Sequence, residues 1–176
     1  SGWTSINGQT NNPFNLKYNP CGSSSGSAAA IAQGLVPVSI GTETNGSITC
    51  PASVNGVVGI KPTVGLVSRT GVIPISETQD TAGPMAKNVM DAARVLKAIA
   101  GKDPLDSYTA KIPQDYDYKK LTDLDANYLK GKRVGVLNSS ESSEIEKGLI
   151  KKVKKVLEAK GAVIVDVEFN ISSDYK

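Results

Sequence analysis

Arg133-Val-Gly-Val-Leu137, a run opening with Ser143-Glu-Ile-Glu146 and reaching Lys160, and Ala162-Val-Ile-Val-Asp-Val167 follow one another closely. The outer two segments are short, apolar and β-branched, as half-buried or buried strands are. Ser143 and Glu146 make a capping box, in which each side chain accepts the backbone N–H of the other. Ile145, Leu149, Val153 and Val156 recur at helical spacing and are expected to face a core, and Gly161 ends the helix. Parallel strands need a crossover of a dozen or more residues, which this helix supplies. The unit predicts an α/β fold: a mixed, largely parallel sheet flanked by helices.

Outward from that unit, residues 102–130 form a polar connector rich in Asp, Tyr and Lys. Residues 86–100 are amphipathic, with Val89, Ala92, Ala93, Leu96 and Ile99 on one helical face and Gly101 as the stop. Residues 67–84 carry few periodic signals and read as a long irregular stretch. Residues 56–61 and 36–40 are strand candidates, and residues 28–32 a short buried helix closed by Gly34. Residues 1–25 read as loop, with turn signals at Asn11-Asn12-Pro13 and Asn19-Pro20. There is no internal repeat. The expected organisation is a core at 1–100, the connector at 102–130 and the strand–helix–strand unit at 131–170, all within one domain spanning 1–176.

A hydrophobic fraction of 39% and a charged fraction of 21% place the 176-residue chain among globular proteins, away from the disordered and membrane classes. A net charge of +3 is too small to argue for nucleic acid. The lysines of residues 147–160 read as a solvated helix face without interleaved aromatics. No apolar run approaches the ~18 residues that would suggest a membrane span. The chain starts at Ser1 and reads as cut from something longer. Cys21 and Cys50 lack metal-ligand spacing and have no histidine beside them, so they are expected to be buried or half-buried free thiols. Whether they meet in space is left open. Sequons at Asn45, Asn138 and Asn170 read as chance occurrences. The compartment is not encoded; the cytoplasm is favoured.

Chemistry concentrates in two glycine-serine loops, Cys21-Gly-Ser-Ser-Ser-Gly-Ser27 and Gly41-Thr-Glu-Thr-Asn-Gly-Ser-Ile48. A serine hydroxyl needs a base to become a nucleophile, usually histidine, and this chain has none. Any serine chemistry must use another base, and a serine–lysine arrangement is the established alternative. The second loop follows a strand and can present consecutive N–H groups to an oxyanion. A phosphate-binding loop is the competing reading, but neither Gly-x-x-x-x-Gly-Lys-Ser/Thr nor Gly-x-Gly-x-x-Gly is present. Ser173-x-x-Lys176 matches a β-lactamase-type pattern without its companion motifs and is set aside.

Pro20-Cys-Gly-Ser-Ser-Ser-Gly-Ser-Ala-Ala-Ala-Ile-Ala resembles the first half of the amidase signature. Gly41-Thr-Glu-Thr-Asn-Gly-Ser-Ile-Thr-Cys-Pro-Ala-Ser with Gly56-Val-Val-Gly-Ile-Lys-Pro-Thr63 resembles the second half. Gln79-Asp-Thr-Ala-Gly-Pro-Met-Ala86 is similar to the segment that follows. The resemblance covers roughly residues 1–100, and these loop variants look most like those of bacterial peptide amidases, which remove the C-terminal carboxamide of peptides. It implies a partial amidase-signature fold and a Ser-cisSer-Lys triad. Ser47 then falls on the nucleophile and Ser23 on the bridging serine, with a cis Gly22–Ser23 peptide. Backbone N–H groups of Thr44, Asn45, Gly46 and Ser47 fall on the oxyanion hole.

The family's lysine lies upstream of the serine loop, and neither Lys17 nor Lys61 matches it. The resemblance therefore implies a fragment of a longer amidase, inactive alone, whose missing remainder completes the site. It implies a small amide or amidated peptide as substrate, ammonia as product, no metal and no organic cofactor. From the charge and the apolar runs, no nucleic acid and no membrane are expected as partners. The alternatives are a non-catalytic binding module or a glutamine amidotransferase-type subunit. Intact Ser23 and Ser47 argue against the module.

Overall fold

A computed structural model describes residues 1–138 and 143–168 in two compact units, the first ending at Asp123. The Asn170 sequon and the Ser173-x-x-Lys176 pattern lie outside the described residues.

The first unit opens with a two-stranded antiparallel hairpin, β1 (Trp3–Thr4) with β2 (Gly8–Gln9). Then come α1 (Ser25–Gln33), β3 (Val38–Glu43), α2 (Thr49–Val54), β4 (Val58–Gly59), β5 (Thr81–Ala86) and α3 (Val89–Ile99). Two 3-10 turns, Ser107–Lys111 and Tyr118–Leu121, occupy the expected connector. The three-stranded sheet has the order β3-β5-β4, with both pairings antiparallel and β3 running from Val38↔Ala86 to Glu43↔Thr81.

The central strand is the one the sequence hid. Thr-Ala-Gly-Pro-Met-Ala has weak strand propensity, and Pro is normally confined to edges. All six residues are nonetheless buried between two partners. Pro84 contributes its carbonyl, which accepts the Ile60 N–H at 3.0 Å. Gly83 is required by space: a Cβ there would sit 2.1 Å from the Ile60 carbonyl oxygen. Small residues in α1 and β5 let helix and sheet approach, and Ala28, Ile31, Ile48 and Met85 form one core cluster, with Val57 against it. A second cluster joins Val67, Ala82 and Leu96, with Ile60, Leu66, Ile99 and Leu121 packed around it. In α3, Ala92, Ala93 and Leu96 are buried as expected, while Val89, in the first turn, is exposed. The Asn88 side chain caps that turn by accepting the Asp91 N–H at 2.9 Å.

The irregular stretch before β5 is fixed to the 3-10 segment by Arg69 and Asp106. The guanidinium donates through Nε at 2.9 Å and through its terminal nitrogen at 2.7 Å, and lies 4.2 Å from the Tyr108 ring centroid. Asp106 also accepts the backbone N–H groups of Arg69 at 2.9 Å and Tyr108 at 3.1 Å. The Arg69 hydrogen bond is the main cause that holds the Asp106 carboxyl far below its ordinary range, against the opposing effect of burial. A carboxyl depressed in the folded state contributes stability fully present above its unfolded pKa and lost as pH falls through the folded one. Asp106→Ala, which leaves the half-buried guanidinium with the Glu77 carbonyl and the Tyr108 ring as its partners, is expected to cost about 2–3 kcal/mol at neutral pH. That deficit should narrow as pH drops below about 4, as denaturant melts across that range would show. A pH-independent deficit would exclude the ion pair as its source.

The second unit holds β6 (Arg133–Asn138), α4 (Glu144–Ala159) and β7 (Val163–Glu168), with the strands parallel from Arg133↔Val163 to Asn138↔Glu168. The capping box forms: the Ser143 N–H donates to Glu146 Oε2 at 2.7 Å, and the Glu146 N–H to Ser143 Oγ at 3.3 Å. The helix face expected to be buried is not. Ile145, Leu149, Val153 and Val156 are exposed, while Ile150, Lys154 and Leu157 are the half-buried positions, with Lys154 paired to Asp166. α4 carries two apolar stripes, and among the described residues of this unit β6 and β7 make a two-stranded sheet, which covers only one of them. Parallel pairing among the described strands is confined to β6–β7. The mixed α/β content stands, but the larger sheet is antiparallel because the 60–80 excursion returns the chain as a neighbouring strand without a helical crossover.

Candidate active site

The serine loop leads into α1 through a sequence of local bonds. Asn19 Oδ1 accepts the Cys21 N–H at 2.7 Å, Cys21 takes a φ of 58°, and the Gly22–Ser23 peptide is cis, as the resemblance implied. Ser25, buried, turns its hydroxyl onto the Cys21 carbonyl. Ser24 sits at the helix start, but its hydroxyl caps no helical N–H. It donates instead to the Thr42 carbonyl and accepts the Thr42 N–H, both at 3.1 Å. That exchange, together with the Ser24 N–H donated to the Ser47 carbonyl at 3.2 Å, locks the first loop onto the second.

The second loop is a tight turn between β3 and α2. Gly46 has a φ of +81°, a conformation costly for any residue with a Cβ, and there is open space around it. Backbone geometry, and no lack of room, calls for glycine here. Its carbonyl accepts the Cys50 N–H at 2.8 Å. Ser47 is half-buried and Ser23 exposed; Thr44 and Gly46 are half-buried and Asn45 is exposed. The Ser24–Ser47 bond thus brings the chain around Ser23 next to Ser47, with residues 44–47 forming the turn beside them.

Two residues that sequence reading left without a role hold this turn. Glu43, 5% exposed at the end of β3, accepts through Oε2 the Ile48 N–H at 2.8 Å, the Thr49 N–H at 2.9 Å and the Thr49 hydroxyl at 3.2 Å. These satisfy donors that a helix start leaves free. Burial pushes the Glu43 carboxyl up, but the N–H groups of Thr49, Ile48 and Gly46 together carry it below its ordinary range. Asp80, on the other side, accepts the Thr44 hydroxyl. The available signal was an acidic residue at the end of an apolar strand, four residues before Ser47.

Cys21 and Cys50 are joined, with Cα atoms 5.9 Å apart across 29 residues of sequence, which corrects the expectation of free thiols. Their spacing carried no motif; packing of the two loops makes the pair. The link starts two residues before Ser23 and ends three after Ser47. Closing a loop of this length restricts the unfolded chain by about 3–4 kcal/mol. Cys21→Ser/Cys50→Ser is expected to lose that much, and reductant should lower the urea midpoint of the unaltered protein similarly. Identical midpoints with and without reductant would exclude it.

Lys61, exposed, donates from Nζ to the Pro62 carbonyl at 3.2 Å, and Lys17 is exposed as well. Among the described residues no group of three or more His, Cys, Asp or Glu is placed to hold a metal ion, and no helix is long and apolar enough to cross a membrane.

The family profile described as Amidase matches residues 1–174. The chain belongs to the amidase family. The native peptide amidase of Stenotrophomonas maltophilia superposes with a TM-score of 0.90 at 53% identity, over 96% of this chain and 35% of that one. A glutamyl-tRNA(Gln) amidotransferase subunit of Thermotoga maritima gives 0.75 at 36% identity, over 90% of this chain and 35% of its own. The corresponding subunit of Caldanaerobacter subterraneus subsp. tengcongensis is 45% identical over 90% of this chain and 32% of that protein. The chain spans about a quarter to a third of the length of the curated amidases and amidotransferase subunits it matches.

Proposed function

We propose that the whole protein to which these residues belong is a carboxamide hydrolase that works through a serine acyl-enzyme, with a peptide C-terminal amide as substrate. The observation that carries the reading is the contact of the two serine loops, in which the Ser24 N–H meets the Ser47 carbonyl beside the Gly46 turn. In this mechanism Ser47 Oγ attacks the amide carbon as its proton passes to Ser23 and on to a base. The N–H groups of residues 44–47 receive the negative charge developing on the carbonyl oxygen, where fixed donors act most strongly. Ser23 returns the proton to the departing ammonia. Water then enters by the same relay and releases the acid.

The base, as the resemblance to the amidase signature implies, is a lysine that lies upstream of the serine loop in the whole protein; neither Lys17 nor Lys61 matches that position. These residues alone are accordingly expected to be inactive. The reading uses no metal or organic cofactor, no nucleic acid and no membrane. The Cys21–Cys50 link favours an oxidising compartment over the cytoplasm that the bare sequence favoured.

The second reading, a glutamine-using amidotransferase subunit that requires partner chains, draws on the amidotransferase relatives. The higher similarity to a peptide amidase favours the first. Ammonia release by the whole protein, measured separately with a C-terminally amidated peptide and with glutamine, tests the pair. Release from the peptide supports the hydrolase; release from glutamine alone transfers support to the amidotransferase.

A further inference from the structure

We propose that Asp80 is a positioning residue for this reaction: its carboxylate clamps Thr44 and so fixes the oxyanion-forming turn against the 75–76 segment. The inference rests on the reading of Ser47 as nucleophile and residues 44–47 as donors. Asp80 is 7% exposed and lies immediately before the central strand. The last pair of the β3–β5 ladder is Glu43↔Thr81, so one step further Thr44 and Asp80 face each other. Oδ1 accepts the Thr44 hydroxyl. Oδ2 accepts the Ile75 N–H at 2.7 Å and the Ser76 N–H at 2.8 Å.

A carboxylate is costly to bury, and here its two oxygens are divided between two segments. This adds a direct side-chain tie to the main-chain bonds from the Gln79 and Asp80 N–H groups to the Ser76 carbonyl and to the Glu43–Thr81 pairing. The Thr44 hydroxyl first, then the Ile75 N–H, hold the Asp80 carboxyl below its ordinary range, so it stays ionised as the acceptor. Glu43 pins the far end of the turn through Ile48 and Thr49. Asp80 pins the near end. Residues 44–47 are thus held at both ends, which keeps the donors in place before charge develops and spares their reorganisation during the reaction. Asp80 also sets the 73–75 segment, where Ile73 and Ile75 are strongly exposed, at a fixed distance from the turn.

The test compares Asp80→Asn, Thr44→Val and the double variant in the whole protein, using an amidated peptide and counting working sites by the acyl-enzyme burst. Asparagine keeps one carbonyl for the Ile75 and Ser76 N–H groups but meets Thr44 with an amide nitrogen. Valine removes the hydroxyl at nearly constant shape and carries the test should the Asp80 variant fold poorly. Each single change is expected to lower kcat per working site about 10- to 100-fold, with KM within about twofold. The double variant should fall no further than the worse single, because the two groups act as one unit. Unchanged kcat per working site, with only the yield or melting temperature reduced, overturns the proposal and leaves Asp80 structural. Multiplying effects in the double variant overturn it too. Ser47→Ala run alongside separates the failures: ammonia release surviving in that variant would sink the nucleophile reading itself and this proposal with it.

Discussion

Ser47→Ala in the whole protein is expected to lower kcat on an amidated peptide by on the order of 10⁶-fold, with little change in stability. The substitution removes one half-buried oxygen. Its main-chain anchor survives, because the bond from the Ser24 N–H uses the Ser47 carbonyl. Alanine is compatible with the position, which precedes α2 and makes no demand for a left-handed conformation. Folding, the disulfide and the Glu43 bonds should persist, so a melting curve within the error of the unaltered protein is part of the prediction. What is lost is the covalent step. The turn at residues 44–47 can still polarise a bound amide, which leaves a residual rate above that in water, as in other serine hydrolases stripped of their nucleophile. Ammonia release in single-turnover and steady-state assays would check it. A variant retaining more than about one hundredth of the activity would place the nucleophile elsewhere, since no ordinary rescue accounts for so much.

How much of this was legible in the sequence depends on which interactions carry each element. The capping box of Ser143 and Glu146, the helix over α3 and the two parallel strands are local: their signals lie within a few residues of their effect, and they form where the sequence places them. The central strand β5 is the opposite case. Its residues are poor strand formers, and it exists because β3 and β4 pair with it from both sides, information that lies far away in the chain. The α4 face failed for a related reason. Periodicity reports that a stripe is apolar, and says nothing about whether a neighbour is there to cover it. At the site, the two glycine-serine loops stood out because they are compositionally odd, and the resemblance to the amidase signature singled out Ser23 and Ser47 within them. Glu43 and Asp80 did not, because a carboxylate bonding to backbone N–H groups has no sequence motif, only a place in the ladder. The Cys21–Cys50 pair was hidden in the same way, with a spacing of 29 residues that points to nothing until the two loops pack.

Glu43→Leu is expected to lose about 3 kcal/mol of stability and roughly 10²- to 10³-fold in kcat. The carboxylate is buried beneath the turn and is the acceptor for two consecutive main-chain N–H groups, those of Ile48 and Thr49. Leucine fills a similar volume, so the loss is not one of packing. It strands a buried Ile48 donor and a Thr49 donor, each costing about 1–3 kcal/mol when left without a partner. The kinetic loss has a separate origin: the turn that ends at Ile48 loses its far anchor, and donors that must point at a developing oxyanion become free to drift. Glu43→Gln distinguishes the two contributions. Its carbonyl can still accept both N–H groups, so the turn should hold, while the charge that strengthens those bonds is gone. A stability loss near ~1 kcal/mol and a kcat reduced about tenfold are expected for it. Urea melts and steady-state kinetics on the two variants check the ordering. Equal effects from glutamine and leucine would show that charge, and not the satisfied N–H groups, holds the turn. An unchanged melt in the leucine variant would remove Glu43 from the architecture of the site altogether.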